Sequence, residues 1–253
     1  MRTYQLPLDL VRERSPERPV ALVRPRSVSV AARWFQDNLK ADVFYAVKAN
    51  PSRWVVETLI EAGVRGFDVA SIAEIELVRS VSHDVRLAFM HPVKSRSAIT
   101  KAYFDHGVRT FSLDSLEELA KIMEATGNAT DLTLCVRMRV SSEHSKLSLA
   151  SKFGVAAHEA KPLLFAARQA ADALGICFHV GSQAMSPDAY AEAMERVRAA
   201  IVDAAVTVDV IDVGGGFPSV YPGMTPPPLE RYFETIHRAF ESLPISYSAE
   251  LWA

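Results

Sequence analysis

Lys48 is the first residue in the chain whose type and position suggest chemistry. It lies in the stretch F-Y-A-V-K-A-N (residues 44–50), in which four apolar residues run directly into an ammonium group. An apolar run is typical of a buried strand, so the lysine is either a surface charge just past that strand or a nucleophile at the mouth of a site. If the apolar run buries Lys48, the neutral amine required for Schiff-base chemistry is favoured.

A triple glycine provides a second candidate site, in the stretch V-G-G-G-F (residues 213–217). Because glycine has no Cβ, the backbone N–H groups of Gly214, Gly215 and Gly216 are open to an anion such as phosphate. The alternative is a flexible turn that leads into the proline-rich loop at residues 218–228.

The stretch F-H-V-G-S-Q (residues 178–183) contains a histidine beside apolar residues. His179 is either a hydrogen-bonded core residue or, at the mouth of a site, a flat ring that stacks on a cofactor, with Ser182 donating to a phosphate oxygen. No H-E-x-x-H or C-x-x-C spacing occurs, so we expect no metal site. A lysine nucleophile, a phosphate loop and a stacking ring together suggest pyridoxal 5'-phosphate.

The elements that must position these residues alternate along the chain. Amphipathic segments at residues 51–62, 72–80, 97–106, 115–125, 156–173, 187–204 and 229–243 predict helices. Between and around them lie eight apolar runs that predict strands, at residues 43–47, 66–69, 86–90, 109–113, 132–140, 175–180, 208–213 and 245–252. Punctuation supports the helices: Ser115 precedes two acids as a helix start does, and glycines stand at expected C-caps, namely Gly63, Gly107, Gly127 and Gly175.

Eight strands separated by helices favour parallel pairing and a TIM-like (β/α)8 barrel, with a doubly wound open sheet as the alternative. In a barrel the working face lies at the carboxyl ends of the strands. Polar residues there include Lys48, Asp68, Arg137, His179 and Asp212. We expect a lead-in with one helix at residues 1–39 and the barrel at residues 40–253, without its last helix.

Bulk properties exclude several classes of function. The net charge of the 253 residues is −2, which gives no electrostatic argument for nucleic acid or an acidic membrane surface. No apolar run approaches the length of a membrane span, and no signal-peptide core opens the chain. The only two cysteines, Cys135 and Cys177, lie in apolar runs and predict buried thiols in a reducing compartment. We therefore expect a cytoplasmic protein.

Six stretches carry a family resemblance, in order along nearly the whole chain. The chain resembles the ornithine/diaminopimelate/arginine decarboxylases, the alanine racemase-like barrel type of pyridoxal-phosphate enzymes, and M-H-P-V-K-S (90–95) resembles bacterial-type ornithine decarboxylases. The stretches are F-Y-A-V-K-A-N-P (44–51), G-F-D-V-A-S-I-A-E-I (66–75), H-G-V-R-T-F-S-L-D-S (106–115), S-K-F-G (151–154), F-H-V-G-S-Q (178–183) and D-V-G-G-G-F-P (212–218).

The resemblance implies a role for each matching residue. Lys48 would bind the cofactor covalently, His179 would stack on its ring, and Ser182 would hold its phosphate together with Gly214, Gly215 and Gly216. Further matching residues would line or brace the site or, for Lys152, face the partner subunit of a homodimer: Asp68, Glu74, Arg137 and Lys152. An alternative for Asp68 and Glu74 is a pair of helix N-terminal acids.

The implied reaction is decarboxylation of a basic amino acid, with ornithine giving putrescine in polyamine biosynthesis. Lysine, arginine or diaminopimelate are alternative substrates. The family pattern continues after the eighth strand with Glu-Pro-Gly-Arg and a C-terminal β domain, neither of which follows here, so we expect a truncated and impaired form. Two further alternatives are a racemase or barrel-only cofactor carrier, and a non-catalytic barrel that binds a regulatory protein.

Overall fold

A computed structural model describes residues 2–140, 145–147 and 152–253. Ser151 of the S-K-F-G stretch therefore lies outside the described residues, as do the side chains of residues 146 and 147. Among the described residues, eight parallel strands form one sheet in chain order, and β6 (Ser145–Leu147) and β8 (Ser182–Ala184) form a separate two-stranded sheet. The strands of the large sheet are β1 (Phe44–Ala46), β2 (Gly66–Val69), β3 (Arg86–Phe89), β4 (Thr110–Leu113), β5 (Thr133–Arg137), β7 (Ala173–Cys177), β9 (Val210–Asp212) and β10 (Glu250–Trp252).

The first and last strands close the sheet into a barrel. The Phe44 N–H donates to the Ala253 carbonyl over 2.8 Å, and the Ala253 N–H donates to the Asp42 carbonyl over 3.1 Å. Asp42 and Trp252 form a parallel bridge at the same seam. The predicted (β/α)8 barrel is confirmed, and the open-sheet alternative is wrong.

Of the helices that the structure describes, the first two precede the first strand, and the others follow the strands of the barrel in turn. They are α1 (Pro7–Arg14), α2 (Pro25–Leu39), α3 (Arg53–Glu61), α4 (Ile72–Arg79), α5 (Arg96–Phe104), α6 (Leu116–Ala125), α7 (Ala160–Ala170), α8 (Asp188–Ala204) and α9 (Leu229–Glu241). Several begin at a serine N-cap: the hydroxyl of Ser115 accepts the Glu118 N–H at the start of α6, as predicted. α2 packs against both α3 and α9, between which it lies in the ring. The division of the chain at residue 39 stays a prediction.

Two local predictions were wrong. Gly175 is not a helix C-cap: it lies within β7, paired with Cys135 of β5, and a Cβ there would lie 2.6 Å from the Cys135 sulfur. Glycine is required by close packing inside the barrel, whereas Gly63, Gly107 and Gly127 do have the positive φ of a C-cap. Residues 245–248 form turns, so the eighth strand begins only at Glu250.

The sheet has two apolar faces. Outward side chains such as Phe67, Phe111 and Leu134 are buried beneath the helices. The inside of the barrel holds a separate cluster of Ala88, Met90, Cys135, Cys177, Val210 and Trp252. Both cysteines are buried and unpaired, as predicted. The described helices include none that is long and apolar enough to cross a membrane.

Candidate active site

Ionisable side chains lie at the carboxyl ends of the strands, above the apolar interior. Since side chains alternate between the two faces of a strand, Asp68, Arg137 and Asp212 point inward above Gly66, Cys135 and Val210. His179 follows Cys177 in the same phase, just past the end of β7. Four strands thus deliver four ionisable groups to one end of the barrel, where the loops also begin.

Lys48 lies directly after β1, in a 3-10 turn formed by Val47–Ala49. Its Nζ lies 3.7 Å from Oδ2 of Asp68, and its side chain is 58% exposed. The expectation that the apolar run buries this lysine was wrong, because the turn carries the side chain out of the strand and over the barrel mouth. The apolar run instead buries its neighbour Val47 completely.

Burial makes both aspartates weaker acids than an ordinary aspartate. Burial raises the pKa of Asp212 to about 6, and the charge of Asp68 adds to the increase. Burial also raises the pKa of Asp68, against the opposing effects of Lys48 and Arg137. The Asp212 carboxylate accepts the Gly214 N–H over 2.8 Å, which moderates its rise.

His179 is held as a neutral imidazole. Burial lowers its pKa to about 4, and the positive charges of Arg137 and Lys48 contribute to the decrease. Its Nδ1 accepts the Gly181 N–H over 2.9 Å, so the proton of the neutral ring is on Nε2. A Cβ on Gly215 would lie 3.7 Å from that Nε2, which places the imidazole edge beside the triple glycine.

The triple glycine packs closely against the segment that carries His179. A Cβ on Gly214 would lie 2.3 Å from the Phe178 carbonyl oxygen, and one on Gly216 would lie 2.4 Å from that of Gly181. Both residues also have positive φ, 64° and 111°. Only glycine satisfies both conditions at these two positions.

The three glycine N–H groups are not equivalent. That of Gly214 is already used by Asp212, whereas those of Gly215 and Gly216 have no acceptor among the described residues. All three glycines line a cavity of about 630 Å³ that Asp68 and Asp212 also line. The expected phosphate loop is therefore open at its second and third N–H groups, which is the arrangement an anion requires.

Ser182 lies next to this loop, on β8 (Ser182–Ala184). The Ala184 N–H donates to the Gly216 carbonyl over 2.9 Å, and Gln183 exchanges two hydrogen bonds with Ser219. β8 pairs with β6 (Ser145–Leu147) in the two-stranded sheet, which the sequence did not predict.

Comparison with known proteins identifies the family. The pyridoxal-binding domain of the pyridoxal-dependent decarboxylases matches residues 26–251. The chain belongs to this family. It is 39% identical over 184 residues to lysine/ornithine decarboxylase of Selenomonas ruminantium, covering 71% of this chain and 46% of that protein. It is 34% identical over 204 residues to antizyme inhibitor 2 of Xenopus laevis, covering 75% of this chain and 44% of the relative.

Solved structures agree with the sequence comparison. A crystal structure of an SrLDC mutant in complex with PLP superimposes with a TM-score of 0.85 at 30% identity, covering all of this chain and 66% of that one. The chain therefore spans about half the length of the curated relatives it matches and two thirds of the structure.

In this decarboxylase-family chain, Glu74 has a structural role at the start of a helix. Glu74 accepts the Ala70 N–H over 2.8 Å while its own N–H donates to Ser71 over 3.3 Å, so the pair caps α4. This geometry supports the helix N-terminal alternative for Glu74, whereas Asp68 lies in β2 and faces Lys48. Lys152 is exposed.

A third lysine of the matching stretches, Lys94, has a fully buried side chain. Its Nζ lies 3.0 Å from the Glu118 carboxylate and donates to the carbonyl oxygens of His91 and Ser112. Burial lowers its pKa, and Glu118 opposes the decrease. Lys94 thus connects the loop after β3 to the first turn of α6. The lysine of the M-H-P-V-K-S stretch therefore has a structural role.

The residues present fit pyridoxal phosphate. Lys48 provides an accessible amine, the second and third glycines provide open N–H donors, and His179 provides a neutral ring beside them. The negative charge of Asp68 lies near the positive charges of Lys48 and Arg137 and offsets them. Among the described residues, no group of three or more His, Cys, Asp or Glu side chains is arranged to hold a metal ion.

Proposed function

We propose that this chain is the cofactor-binding barrel of a pyridoxal-phosphate-dependent decarboxylase of basic amino acids, with L-ornithine as substrate and putrescine as product. The observation that carries the proposal is the convergence of Lys48, His179 and the triple glycine at one end of a barrel of this family. Two of the matching relatives are named lysine/ornithine decarboxylase and ornithine decarboxylase, which supports ornithine before arginine or diaminopimelate.

Each residue then has a defined task. Lys48 would attach the cofactor, Gly215 and Gly216 would donate N–H groups to its phosphate together with the Ser182 hydroxyl, and His179 would lie on its ring. When bound, the cofactor takes up the electron pair released as the substrate carboxylate leaves as CO₂. A neutral His179 suits this role because it adds no positive charge against the cationic Lys48 and Arg137.

Asp68 would hold Lys48 in place, and Arg137 would offset the negative charge of the carboxylates. Asp68 keeps the ammonium group within 3.7 Å before the cofactor arrives, and Arg137 partly neutralises the carboxylates of Asp68 and Asp212. The protein is proposed to act in the cytoplasm, which its two buried, unpaired thiols support. It is also proposed to form a homodimer, as the family resemblance implies. Light scattering of the purified protein tests the dimer.

The first experiment is a visible spectrum with added pyridoxal phosphate, followed by borohydride reduction and peptide mapping. We expect absorbance at about 420 nm and a reduced adduct on Lys48. Lys48→Ala should abolish both, whereas Lys152→Ala, which removes another exposed lysine, should abolish neither. A folded chain that carries no adduct on Lys48 would contradict the proposal.

A second candidate is a non-catalytic barrel that binds another protein. The similarity to antizyme inhibitor 2, a relative named as an inhibitor, supports it. CO₂ release from ornithine, lysine, arginine and diaminopimelate separates the two candidates: the decarboxylase releases CO₂ from ornithine first, and the binding protein from none. A racemase would instead invert the amino acid without CO₂ release.

A further inference from the structure

Tyr190 lies behind the triple glycine, fully buried on α8. Its hydroxyl donates to the carbonyl oxygen of Gly215 over 3.2 Å. Burial raises the pKa of Tyr190, so the hydroxyl keeps its proton and remains a donor. None of the sequence patterns singled out this residue, since a tyrosine on the apolar face of a helix is typical of a core position.

The hydrogen bond fixes a whole peptide unit. The peptide between Gly215 and Gly216 is trans and planar, so its C=O and N–H groups point in opposite directions. With the C=O held toward α8 by Tyr190, the Gly216 N–H must point away from α8. That N–H has no acceptor among the described residues, and Gly216 lines the cavity of the site.

Glycine would otherwise leave this peptide free to rotate, because it adopts positive and negative φ almost equally. Aromatic packing prevents the tyrosine itself from moving: its ring stacks on Phe217 with centroids 5.3 Å apart and planes at 16°. Phe217 in turn packs against Phe35 of α2 and Phe233 of α9, each at 5.7 Å.

We propose that Tyr190 is a positioning residue of the phosphate-binding loop: its hydroxyl orients the Gly215–Gly216 peptide so that the Gly216 N–H faces an incoming phosphate. The proposal rests on the proposed function, because it assigns that loop to the phosphate of the cofactor. It predicts that loss of the Tyr190 hydroxyl weakens binding of the phosphate group and leaves binding of the rest of the cofactor unchanged.

Tyr232 is a matched control in the same cluster. It is also fully buried, and its hydroxyl donates to a backbone carbonyl, that of Ala184, over 2.7 Å. Its ring contacts Tyr190 edge to face at 6.1 Å. Ala184 lies on β8, and its N–H donates to the Gly216 carbonyl, which belongs to the next peptide of the loop. Tyr232 therefore does not hold the Gly215–Gly216 peptide itself. The variants Tyr190→Phe and Tyr232→Phe therefore remove the same bond chemistry at the same depth.

The experiment measures dissociation constants of pyridoxal phosphate and of pyridoxal, which lacks the phosphate, for the 253-residue chain and both variants. We expect Tyr190→Phe to weaken pyridoxal phosphate about threefold to tenfold, the loss typical of one neutral hydrogen bond, and to leave pyridoxal unchanged. Tyr232→Phe should change neither constant, although both variants should melt at lower temperature.

Equal losses in both variants, an equal loss for both ligands, or no loss in Tyr190→Phe would overturn the proposal. If Tyr190→Phe does not fold, titration of the wild-type chain with inorganic phosphate provides the second test: the Gly216 amide resonance must shift and that of Gly107 must not. The proposed function fails separately, when borohydride finds no adduct on Lys48 with either ligand while the phosphate preference persists.

Discussion

Charged side chains lie at both ends of the barrel, and their partners differ. At the amino end Arg86 pairs with Asp42 at 3.1 Å and with Glu250 at 3.8 Å, and its guanidinium lies over the rings of Trp252 and Phe44 at 4.5 and 5.1 Å. At the carboxyl end the Asp212 carboxylate lies near the like charge of Asp68, and the half-buried His179 lies near two cations.

The comparison shows how one fold separates stability from chemistry. At the amino end the charges are complementary, because Arg86 faces two carboxylates and two aromatic rings. These contacts stabilise the seam between the first and last strands. The carboxyl end buries ionisable groups beside like charges, and burial first, then these charges, raise the pKa of Asp212 and lower that of His179. Such perturbed groups in a cleft are typical of a functional site.

The largest effect should come from the loop at the carboxyl end. Gly214→Ala places a Cβ 2.3 Å from a backbone oxygen at φ 64°, and we expect the free energy of unfolding to fall by about 3–4 kcal/mol. Gly107→Ala is the control, because its φ is 67° and no atom lies within 4 Å of the new Cβ. It should cost only about 1 kcal/mol in urea unfolding. Equal losses would show that φ alone matters.

Removing the central cation of the amino end should destabilise the barrel without affecting the site. We expect Arg86→Ala to lower the free energy of unfolding by about 1–2 kcal/mol, through lost ring contacts and partly exposed ion pairs, with cofactor affinity unchanged. Arg198→Ala, which breaks one exposed pair with Glu195 on α8, should destabilise the chain less than Arg86→Ala does. A drop in cofactor affinity for Arg86→Ala would contradict the separation of the two ends.

The pH dependence of stability should reveal the carboxyl end. Asp212 has a folded pKa of about 6 against an ordinary 3.8, so only the folded state takes up its proton between about pH 7 and pH 5, which stabilises the fold. His179 has a folded pKa of about 4 against 6.5, so the unfolded state takes up its proton first, which destabilises the fold over the same interval.

Asp212→Asn removes the first effect and keeps an acceptor for the Gly214 N–H. On acidification from about pH 7 to pH 5, its free energy of unfolding should fall about 1 kcal/mol further than that of the wild type. His179→Gln should remove the opposite effect, so that the chain loses less stability on acidification. Parallel profiles for wild type and Asp212→Asn would contradict the raised pKa.

The smallest effect on stability should come from Gly215→Ala. This glycine has no positive φ, and its Cβ would meet only His179 Nε2, at 3.7 Å. We expect unfolding to change by less than about 0.5 kcal/mol, because the substitution also restricts the unfolded chain. The methyl group should still weaken cofactor binding, measured by absorbance, because it stands beside the imidazole. If the affinity for the cofactor is unchanged, the cofactor ring does not lie beside this imidazole.

Much of the fold followed from the sequence because its signals are local. Each of the eight strands of the barrel overlaps a predicted apolar run, and the serine and glycine helix boundaries at Ser115, Gly63 and Gly107 depend only on neighbouring residues. The same holds for Lys48, which a strand end and an apolar run identify without any knowledge of its surroundings. The family motifs added the cofactor.

The tertiary structure decided what depends on contacts between distant residues. Arg137 lowers the pKa of both Asp68 and Asp212. It can do so only because the barrel brings the ends of β2, β5 and β9 together. Gly175 could not be distinguished from a helix cap until its strand packed on Cys135, and Tyr190 could not be distinguished from a core residue until its hydroxyl met Gly215. Apolar periodicity determines which face of an element is buried, whereas barrel closure determines which side chains meet.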